Sequence, residues 1–420
     1  MSNTRVTDKI LEKPYFSRVG IMRKKITAYN ALIGLYIIMP IIDSISGAYH
    51  DVYPVGQIYR IVVMAYMIIL LGKNSDKEFV KVMIPFAIFV LVQILISDAY
   101  LVKSIQSTLK LFTPIITIEL FRVLIRKQKI HNEDVLLILD IWSVLYPLMI
   151  LVPGAFGIGI NAYDGSIGWK GFFYATNEIS FILSSLVMYL FWKFENVGNI
   201  KSIVTLAANC LCVVLMGTKT GYITIILFSI IFVFELFKDG KQNKIIRVSI
   251  LLLLLLGMII LNFSKIMNMA SAIYERWLFQ RSISYSVTDF LFSMRLRRLE
   301  DAFNIYMDGN YLMFGWGLGG ELAGFPNMEM DFLDILFRMG IIGFLYVILF
   351  YGKEVIKVAR KNMWGLLIVC WSLALSFGAG HVLFYGQSGM MLAINFIFTL
   401  YILKTKNNEK LPITWEEADE

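Results

Sequence analysis

Long apolar segments recur along the whole chain, and they constrain its fold more than any other feature. A helix that crosses a bilayer needs about 20 apolar residues, and in lipid it must pair its own backbone N–H and C=O groups. The chain has 420 residues, 58% hydrophobic and 17% charged. We therefore predict an all-α, polytopic integral membrane protein that forms a single transmembrane domain over residues 1–420. The twelve predicted spans are 26–46, 55–72, 79–97, 101–125, 135–153, 176–195, 200–217, 220–237, 245–262, 331–351, 362–380 and 388–403.

Lysine and arginine are unevenly distributed between the predicted loops. Short loops rich in these residues stay in the cytoplasm. When both termini are placed in the cytoplasm, most of the 39 basic residues fall on that side. The N-terminal segment 1–25 and the tail 404–420 are then cytoplasmic, and the long loop 263–330, between spans nine and ten, is extracytoplasmic. The net charge of +8 follows from this topology and requires no nucleic-acid partner.

Cysteine and histidine give no sign of a metal site. Cys210, Cys212 and Cys370 all lie inside predicted spans, where they are most simply apolar packing residues. The three histidines are far apart in sequence and lack the spacing of a metal-binding motif.

Charged residues occur where the tenth predicted span enters the membrane. Asn327, Asp331, Asp334 and Arg338 follow the spacing i, i+4, i+7, i+11, which predicts one polar face of a helix. A charge within the bilayer costs at least about 2.5 kcal/mol, so such residues are candidates for a functional site. Glu329 lies at the mouth of this helix. The alternative interpretation is that Asp334 and Arg338 simply neutralise each other across one helical turn.

The long loop has the aromatic content of a folded segment. Apolar residues from Phe292 to Tyr306 recur with helical spacing, which predicts an amphipathic helix, either in the membrane interface or solvated. The stretch GWGLGG at 315–320 satisfies a dinucleotide-binding pattern but follows no predicted strand. Its glycines are expected to allow a tight turn or to form an anion-binding nest.

Two further external lysines lie near predicted span ends. They are Lys170 and Lys219, and Asn177 and Glu178 begin the sixth span. Each lysine alone could be a snorkelling anchor. Together with the charges of the tenth span, they suit a lipid-linked diphosphate, because cations hold the anion and a carboxylate is available as a base.

An ordered set of motifs connects these residues with a known family. The set resembles the O-antigen ligase and Wzy-type polysaccharide polymerase superfamily, membrane enzymes of the GT-C architectural class. The resemblance covers roughly residues 165–403. The motifs are GFFYATNEIS, LMGTKTGYITIIL, SMRLRRLEDAF, FGWGLGG and EMDFLDILFRMGIIGFL.

The resemblance implies roles for residues of the loop and of the tenth span. Arg295 matches the arginine that begins the loop helix in the family's pattern. The family commonly carries a His-Asn pair eleven residues before a Gly-x-x-Gly turn, and counting back from Gly340 places Glu329 and Met330 there. Because the histidine is missing, Glu329 or Asp331 is the expected base.

The expected catalytic residues are therefore Glu329, Asp331 and Arg295. Lys219 occupies a place where a basic residue after Ser or Thr is frequent in the family. Aromatic residues such as Trp169 and Trp316 could stack on sugar faces, or belong to the aromatic belt of the membrane interface. The residues expected to bind the diphosphate or the glycan are Lys219, Arg298, Arg338, Lys170, Asn177, Glu178 and Asp334.

The implied reaction is glycosyl transfer at the outer face of the bacterial cytoplasmic membrane. An undecaprenyl-diphosphate-linked glycan would pass to a hydroxyl of another lipid-linked repeat unit, with no metal, cofactor or nucleotide sugar. A chain-length regulator and a flippase are the implied protein partners. Two alternatives stay open: a ligase that uses a different acceptor, and a flippase or transporter with a path along intramembrane charges. Those charges are Arg60, Lys110, Glu119 and Asp140.

Overall fold

The computed structural model describes residues 27–49, 54–96, 100–163, 167–197, 200–239 and 263–402. The ninth predicted span, the N-terminal segment 1–25 and the tail 404–420 lie outside these residues. Helices occur at the other eleven predicted spans. The α-helices are α1 Ala28–Ala48, α2 Val55–Asn74, α3 Asp76–Ile96, α4 Leu101–Arg126, α5 Asn132–Ala155, α6 Thr176–Val197, α7 Ile200–Met216, α8 Lys219–Asp239, α9 Phe263–Ser282, α10 Val287–Leu291, α11 Arg298–Asp308, α12 Asp331–Ala359, α13 Met363–Ala379 and α14 Gly386–Ile397.

Five of these helices are long and apolar enough to cross a membrane: α1, α2, α3, α5 and α12. Shorter apolar helices begin at Ile200, Lys219, Met363 and Gly386. This part of the prediction is confirmed, since the described chain is mainly helical and has the apolar helices of a membrane-embedded protein. The number of twelve crossings and the cytoplasmic placement of the termini stay predictions.

The described residues fall into two compact units. The first lies within Met1–Lys73 and Leu137–Met294, and the second within Asn74–Leu136 and Arg295–Glu420. The predicted loop 263–330 therefore contributes to both units, and it is divided between Met294 and Arg295.

The first unit is built around α6. This helix packs against α7 and α8, and nearly every side chain from Glu178 to Phe191 is buried. A short antiparallel ribbon lies beside these helices, formed by β1 Asn161–Tyr163 and β2 Ile167–Trp169. Both α7 and α9 contact β2. This ribbon was not predicted from the sequence, because strands of three residues are too short to show an alternating pattern.

The second unit is built around α4. Its residues from Leu111 to Leu124 are all buried, and the helix packs against α3 and α14. The helix continues through Lys110 and Pro114, although a charged residue and a proline can each interrupt an apolar helix. The helix α12 packs against α13.

Ion pairs connect three helices of the second unit. Arg122 of α4 donates to Glu119 on its own helix at 2.8 Å and to Glu354 of α12. Lys81 of α3 lies 2.9 Å from Glu119, and Lys357 lies 3.3 Å from Glu354. Both carboxylates are almost fully buried. Removing one partner of such a network is costly, because it leaves an uncompensated charge in an apolar interior.

The prediction of a continuous amphipathic helix over residues 292–306 is wrong for the first half of that range. Ser293 and Met294 adopt left-handed backbone conformations, with φ of 52° and 63°, so they end α10. One turn of 3₁₀-helix follows, and α11 begins only at Arg298. The buried face of α11 therefore differs from the predicted one, since Tyr306 is buried but Phe303 is 52% exposed.

Candidate functional site

The first turns of α12 carry two buried carboxylates. Asp334 accepts hydrogen bonds from the backbone N–H groups of Met328 and Met330, each at 3.0 Å, and so folds the preceding segment against the helix. Asp331 is fully buried and uses one oxygen, Oδ2, to accept from Ser376 Oγ at 2.6 Å. The polar face predicted from the sequence is shorter than expected, because the helix begins at Asp331 and Asn327 precedes it.

The same Asp331 oxygen holds the turn between α13 and α14. It accepts from the backbone N–H groups of Val382 at 2.8 Å and Leu383 at 2.9 Å. Three donors therefore converge on a single carboxylate oxygen, and they come from α13 and from the turn that follows it. This geometry assigns Asp331 a positioning role in the second unit.

Arg295 and Glu329 form an ion pair beside this turn. Glu329 Oε2 lies 3.3 Å from both Nε and Nη2 of Arg295. The Nη1 group of Arg295 donates to the carbonyl of Gly378 at 2.6 Å. The Glu329 side chain is 37% exposed, in contrast to the buried carboxylates of α12. Arg298 is exposed and donates to the carbonyl of Asn327 at 2.9 Å.

His381 lies in the turn that Asp331 holds. It interacts electrostatically with Glu329 and Arg295, and its ring meets the ring of Tyr385 edge-on, with 5.4 Å between centroids. Burial lowers the pKa of His381 to about 4, so its imidazole is neutral at neutral pH. We refer to Arg295, Glu329 and His381 as the α12 start cluster.

Arg338 lies one to two turns further along α12 and is 6% exposed. Its Nη1 group lies 2.6 Å from Glu321 Oε2, and its Nε lies 3.4 Å from Asp334 Oδ1. Lys103 approaches the other oxygen of Glu321 at 3.5 Å. The pairing of Asp334 with Arg338 was the alternative interpretation of the sequence, and it is present. Arg338 nevertheless has its shorter contact with Glu321.

A break in α12 follows Arg338. Gly340 has φ of 67° and ψ of −173°, so two helical hydrogen bonds across it are lost. The backbone of residues 312–317 supplies replacement partners. The carbonyl of Phe337 accepts from the N–H of Trp316 at 3.1 Å, and the carbonyl of Arg338 accepts from the N–H of Gly317 at 3.0 Å. Ile341 and Ile342 donate to the same segment at 2.9 and 3.4 Å. The loop backbone therefore completes the helix at its break.

The glycine-rich stretch 315–320 makes this close approach possible. A Cβ atom on Gly315 would overlap the backbone of Arg338, and one on Gly340 would overlap Met313. The N–H of Gly319 donates to Ser104 Oγ at 2.9 Å. The prediction of a tight turn is confirmed. The alternative expectation, an anion-binding nest, is wrong, because the backbone N–H groups of this stretch already donate hydrogen bonds within the protein.

Trp316 lies in an aromatic stack. Its ring is sandwiched between Phe325 and Phe337, at 5.2 and 5.4 Å between centroids and within 9° of parallel. Tyr306 and Tyr311 approach its edge. Since both faces of Trp316 are covered, the expectation that it stacks on a sugar is wrong.

The other predicted binding residues lie in the first unit. Lys219 donates to the carbonyl of Phe290 at 2.6 Å and lies 3.8 Å from the centre of that ring. Lys170 donates to the carbonyl of Tyr174 at 2.6 Å, and burial lowers its pKa.

Asn177 and Glu178 begin α6. Asn177 is half-buried, whereas Glu178 is buried and interacts electrostatically with Arg60. Lys170 and Lys219 thus have structural contacts of their own within the first unit.

His381 was not expected to be a site residue, because the three histidines are far apart in the chain. A signal was present, since the predicted topology placed residues 381–387 on the same side of the membrane as the long loop. Glu321 was not expected either, because no helical spacing links it to Arg338, its partner in the structure.

The α12 start cluster combines three chemical functions. A guanidinium offers donors to an anion, a partly exposed carboxylate pairs with it, and a neutral imidazole can accept a proton. The described residues contain no group of three or more His, Cys, Asp or Glu side chains arranged to hold a metal ion. Comparisons with models of protein families, with curated proteins and with solved structures find no match to this chain.

Proposed function

We propose that this protein is a polysaccharide polymerase of the bacterial cytoplasmic membrane. It would transfer a glycan from undecaprenyl diphosphate to a hydroxyl of another lipid-linked repeat unit, at the outer face of the membrane. The observation that carries the proposal is the α12 start cluster: an arginine, a partly exposed glutamate and a neutral histidine gathered where an apolar helix begins. The resemblance of the ordered motifs to the O-antigen ligase and Wzy-type superfamily supports it.

Arg295 is the proposed contact for the departing diphosphate. As the glycosidic bond breaks, negative charge grows on the phosphate oxygens, and a guanidinium held in place stabilises that charge. Arg295 is held by Glu329 and by the carbonyl of Gly378, so little reorganisation is needed. Arg298, which is exposed and begins the helix that follows Arg295, is the proposed second cation.

The transporter alternative rests on intramembrane charges, and each of these has a partner. Arg60 pairs with Asp43 at 2.8 Å, and Glu119 belongs to the ion-pair network of the second unit. Asp140 pairs with Lys193, and Lys110 lies 5.5 Å from the ring centre of Tyr385. No observation on the described residues favours a transport path over the enzyme.

The test is a reconstitution with one substrate. Purified protein in lipid vesicles receives the lipid-linked repeat unit alone, and products are resolved by size. A polymerase gives a ladder of glycan lengths. A ligase gives transfer only when a second type of acceptor is added, and a transporter gives no new glycosidic bond. The last two outcomes would each overturn the proposal.

Arg295→Ala should reduce ladder formation by about 10² to 10³-fold, the usual effect of removing one positioned donor. Arg360→Ala is the matched control, because Arg360 is exposed at the far end of α12. Accumulation of the lipid-linked monomer in cells should rise only with Arg295→Ala. Equal ladders from both variants would remove Arg295 from the site.

A further inference from the structure

The turn between α13 and α14 is fixed on both sides of His381. Before the histidine, Arg295 donates to the carbonyl of Gly378 at 2.6 Å, and Gly380 packs directly against the carbonyl of Glu329. After it, Asp331 accepts from the backbone of the next two residues at 2.8 and 2.9 Å. These contacts come from the same segments that carry the α12 start cluster. The position of His381 is therefore set by Arg295, Glu329 and Asp331.

The backbone of His381 is strained, and so is that of its neighbour in the cluster. His381 has φ of 64° and Glu329 has φ of 54°, the left-handed region that side chains other than glycine rarely adopt. Such conformations are unfavourable and concentrate at functional sites, where the surrounding structure enforces them. The two residues are neighbours in space, because Gly380, which precedes His381, packs against the carbonyl of Glu329. Two strained residues at one place indicate that the arrangement of their side chains has a functional role.

The other candidate bases are engaged or inaccessible. Asp331 is fully buried, with three donors on one oxygen, and Asp334 is 1% exposed with a backbone donor on each oxygen. Glu329 is partly exposed, but its Oε2 is shared with two nitrogens of Arg295. His381 is half-buried and lies at the same place.

Four charged groups act electrostatically on His381. They are Glu329 from the segment before α12, Arg338 from α12, Arg295 from the 3₁₀ turn Arg295–Arg297 and Glu321 from the 3₁₀ turn Gly320–Ala323. Burial and the two arginines disfavour the imidazolium, and the two carboxylates favour it. The imidazole is thus neutral before reaction, and a carboxylate is at hand for the positive charge that forms on it.

We propose that His381 accepts the proton of the acceptor hydroxyl in the glycosyl transfer, and that Glu329 is a positioning residue that stabilises the resulting imidazolium. This inference rests on the proposed function. The hydroxyl O–H bond breaks as its proton passes to an imidazole nitrogen, and the oxygen forms the new bond to the anomeric carbon. The bond from that carbon to the diphosphate oxygen breaks, and the diphosphate leaves with the electron pair. The imidazolium then returns its proton to water or to the released diphosphate.

The test compares two variants of His381 in the vesicle assay. His381→Ala removes the base, and His381→Asn keeps a side chain that tolerates left-handed φ, so the turn can fold. Both should lower kcat by about 10² to 10⁴-fold with little change in KM, the range for loss of a general base. Added imidazole should restore part of the activity of His381→Ala. His131→Gln is the control, since His131 is exposed and lies in the loop before α5.

The pH profile separates a proton acceptor from a structural residue. In the wild type, kcat/KM should fall at low pH, because protonation of His381 removes the free base. That acidic limb should be absent from the residual activity of His381→Asn. If the folded Asn variant keeps the wild-type kcat, or shows the same acidic limb, the role of His381 is overturned while a wild-type ladder still supports the polymerase. A wild type that makes no ladder would instead overturn the proposed function.

Discussion

Asp331 shows how a residue can be identified as part of a site and yet have a different role. Its spacing with Asp334 and Arg338 predicted a polar face, and this directed attention to the beginning of α12. The structure shows a fully buried carboxylate whose Oδ2 bonds to Ser376 and to the turn before α14. Spacing reports which residues share a helix face, but it does not report the chain that packs on that face.

Asp331→Ala should therefore loosen the turn rather than remove a base. Each buried N–H left without an acceptor costs about 1–3 kcal/mol, and two such groups belong to Val382 and Leu383. Hydrogen–deuterium exchange of residues 380–385 should become faster, and the melting temperature should fall. Asp308→Ala is the control, because Asp308 is exposed at the end of α11. Unchanged exchange of the turn in Asp331→Ala would contradict the positioning role.

At the scale of elements, the helices follow from the sequence and the break in α12 does not. Apolar runs of about 20 residues predict helices because lipid forces the backbone to bond with itself. A glycine within such a run is compatible with a continuous helix or with a break. Only the approach of residues 312–317 decides between them, and this contact joins segments that are more than twenty residues apart.

Gly340→Ala and Gly315→Ala should both destabilise the second unit. An added methyl group at either position meets the backbone of the other segment, and both residues have φ near 70°. Backbone atoms cannot move aside as a flexible side chain would, so we expect a loss of several degrees in melting temperature in detergent. Gly352→Ala in the same helix is the control, since a Cβ there meets nothing within 4 Å. A melting temperature equal to that of the control would show that the two segments do not pack as described.

The ion-pair network of α3, α4 and α12 allows a second test at this scale. Arg122→Met should leave Glu119 and Glu354 without their shared guanidinium, at a cost of about 3–5 kcal/mol. The triple variant Arg122→Met, Glu119→Gln, Glu354→Gln should recover much of that loss, because both buried carboxylates are then neutral. The lysines that lose them, Lys81 and Lys357, are partly exposed and can be solvated. Thermal unfolding in micelles measures both. A triple variant that is less stable than Arg122→Met would contradict a charge-compensation role.

At the scale of the whole molecule, hydropathy establishes the class of protein but not its internal division. The apolar helices were expected, and five of those described are long enough to span a bilayer. The two compact units were not expected, because each combines segments that are distant in the chain. Charge asymmetry predicts the orientation, and this prediction is open to direct measurement.

Single cysteines in a background without native cysteine should report that orientation. Tyr285→Cys, at a position 88% exposed in the long loop, should react with a membrane-impermeant thiol reagent on intact cells. His131→Cys, in the exposed loop between α4 and α5, should react only after the membrane is permeabilised. The reverse pattern would place the α12 start cluster on the cytoplasmic side and exclude a reaction at the outer face.

The completed break in α12 also bears on ligand selectivity. Four hydrogen bonds and an aromatic stack hold residues 312–317 against the helix, so the break cannot straighten or bend further without losing them. The carboxylates and arginines near the start of α12 therefore keep fixed separations before any ligand arrives. Under the proposed function, such a site would discriminate by the spacing of charges on the lipid-linked substrate. We then expect it to tolerate variation in the distal sugars far better than a phosphate group added or removed.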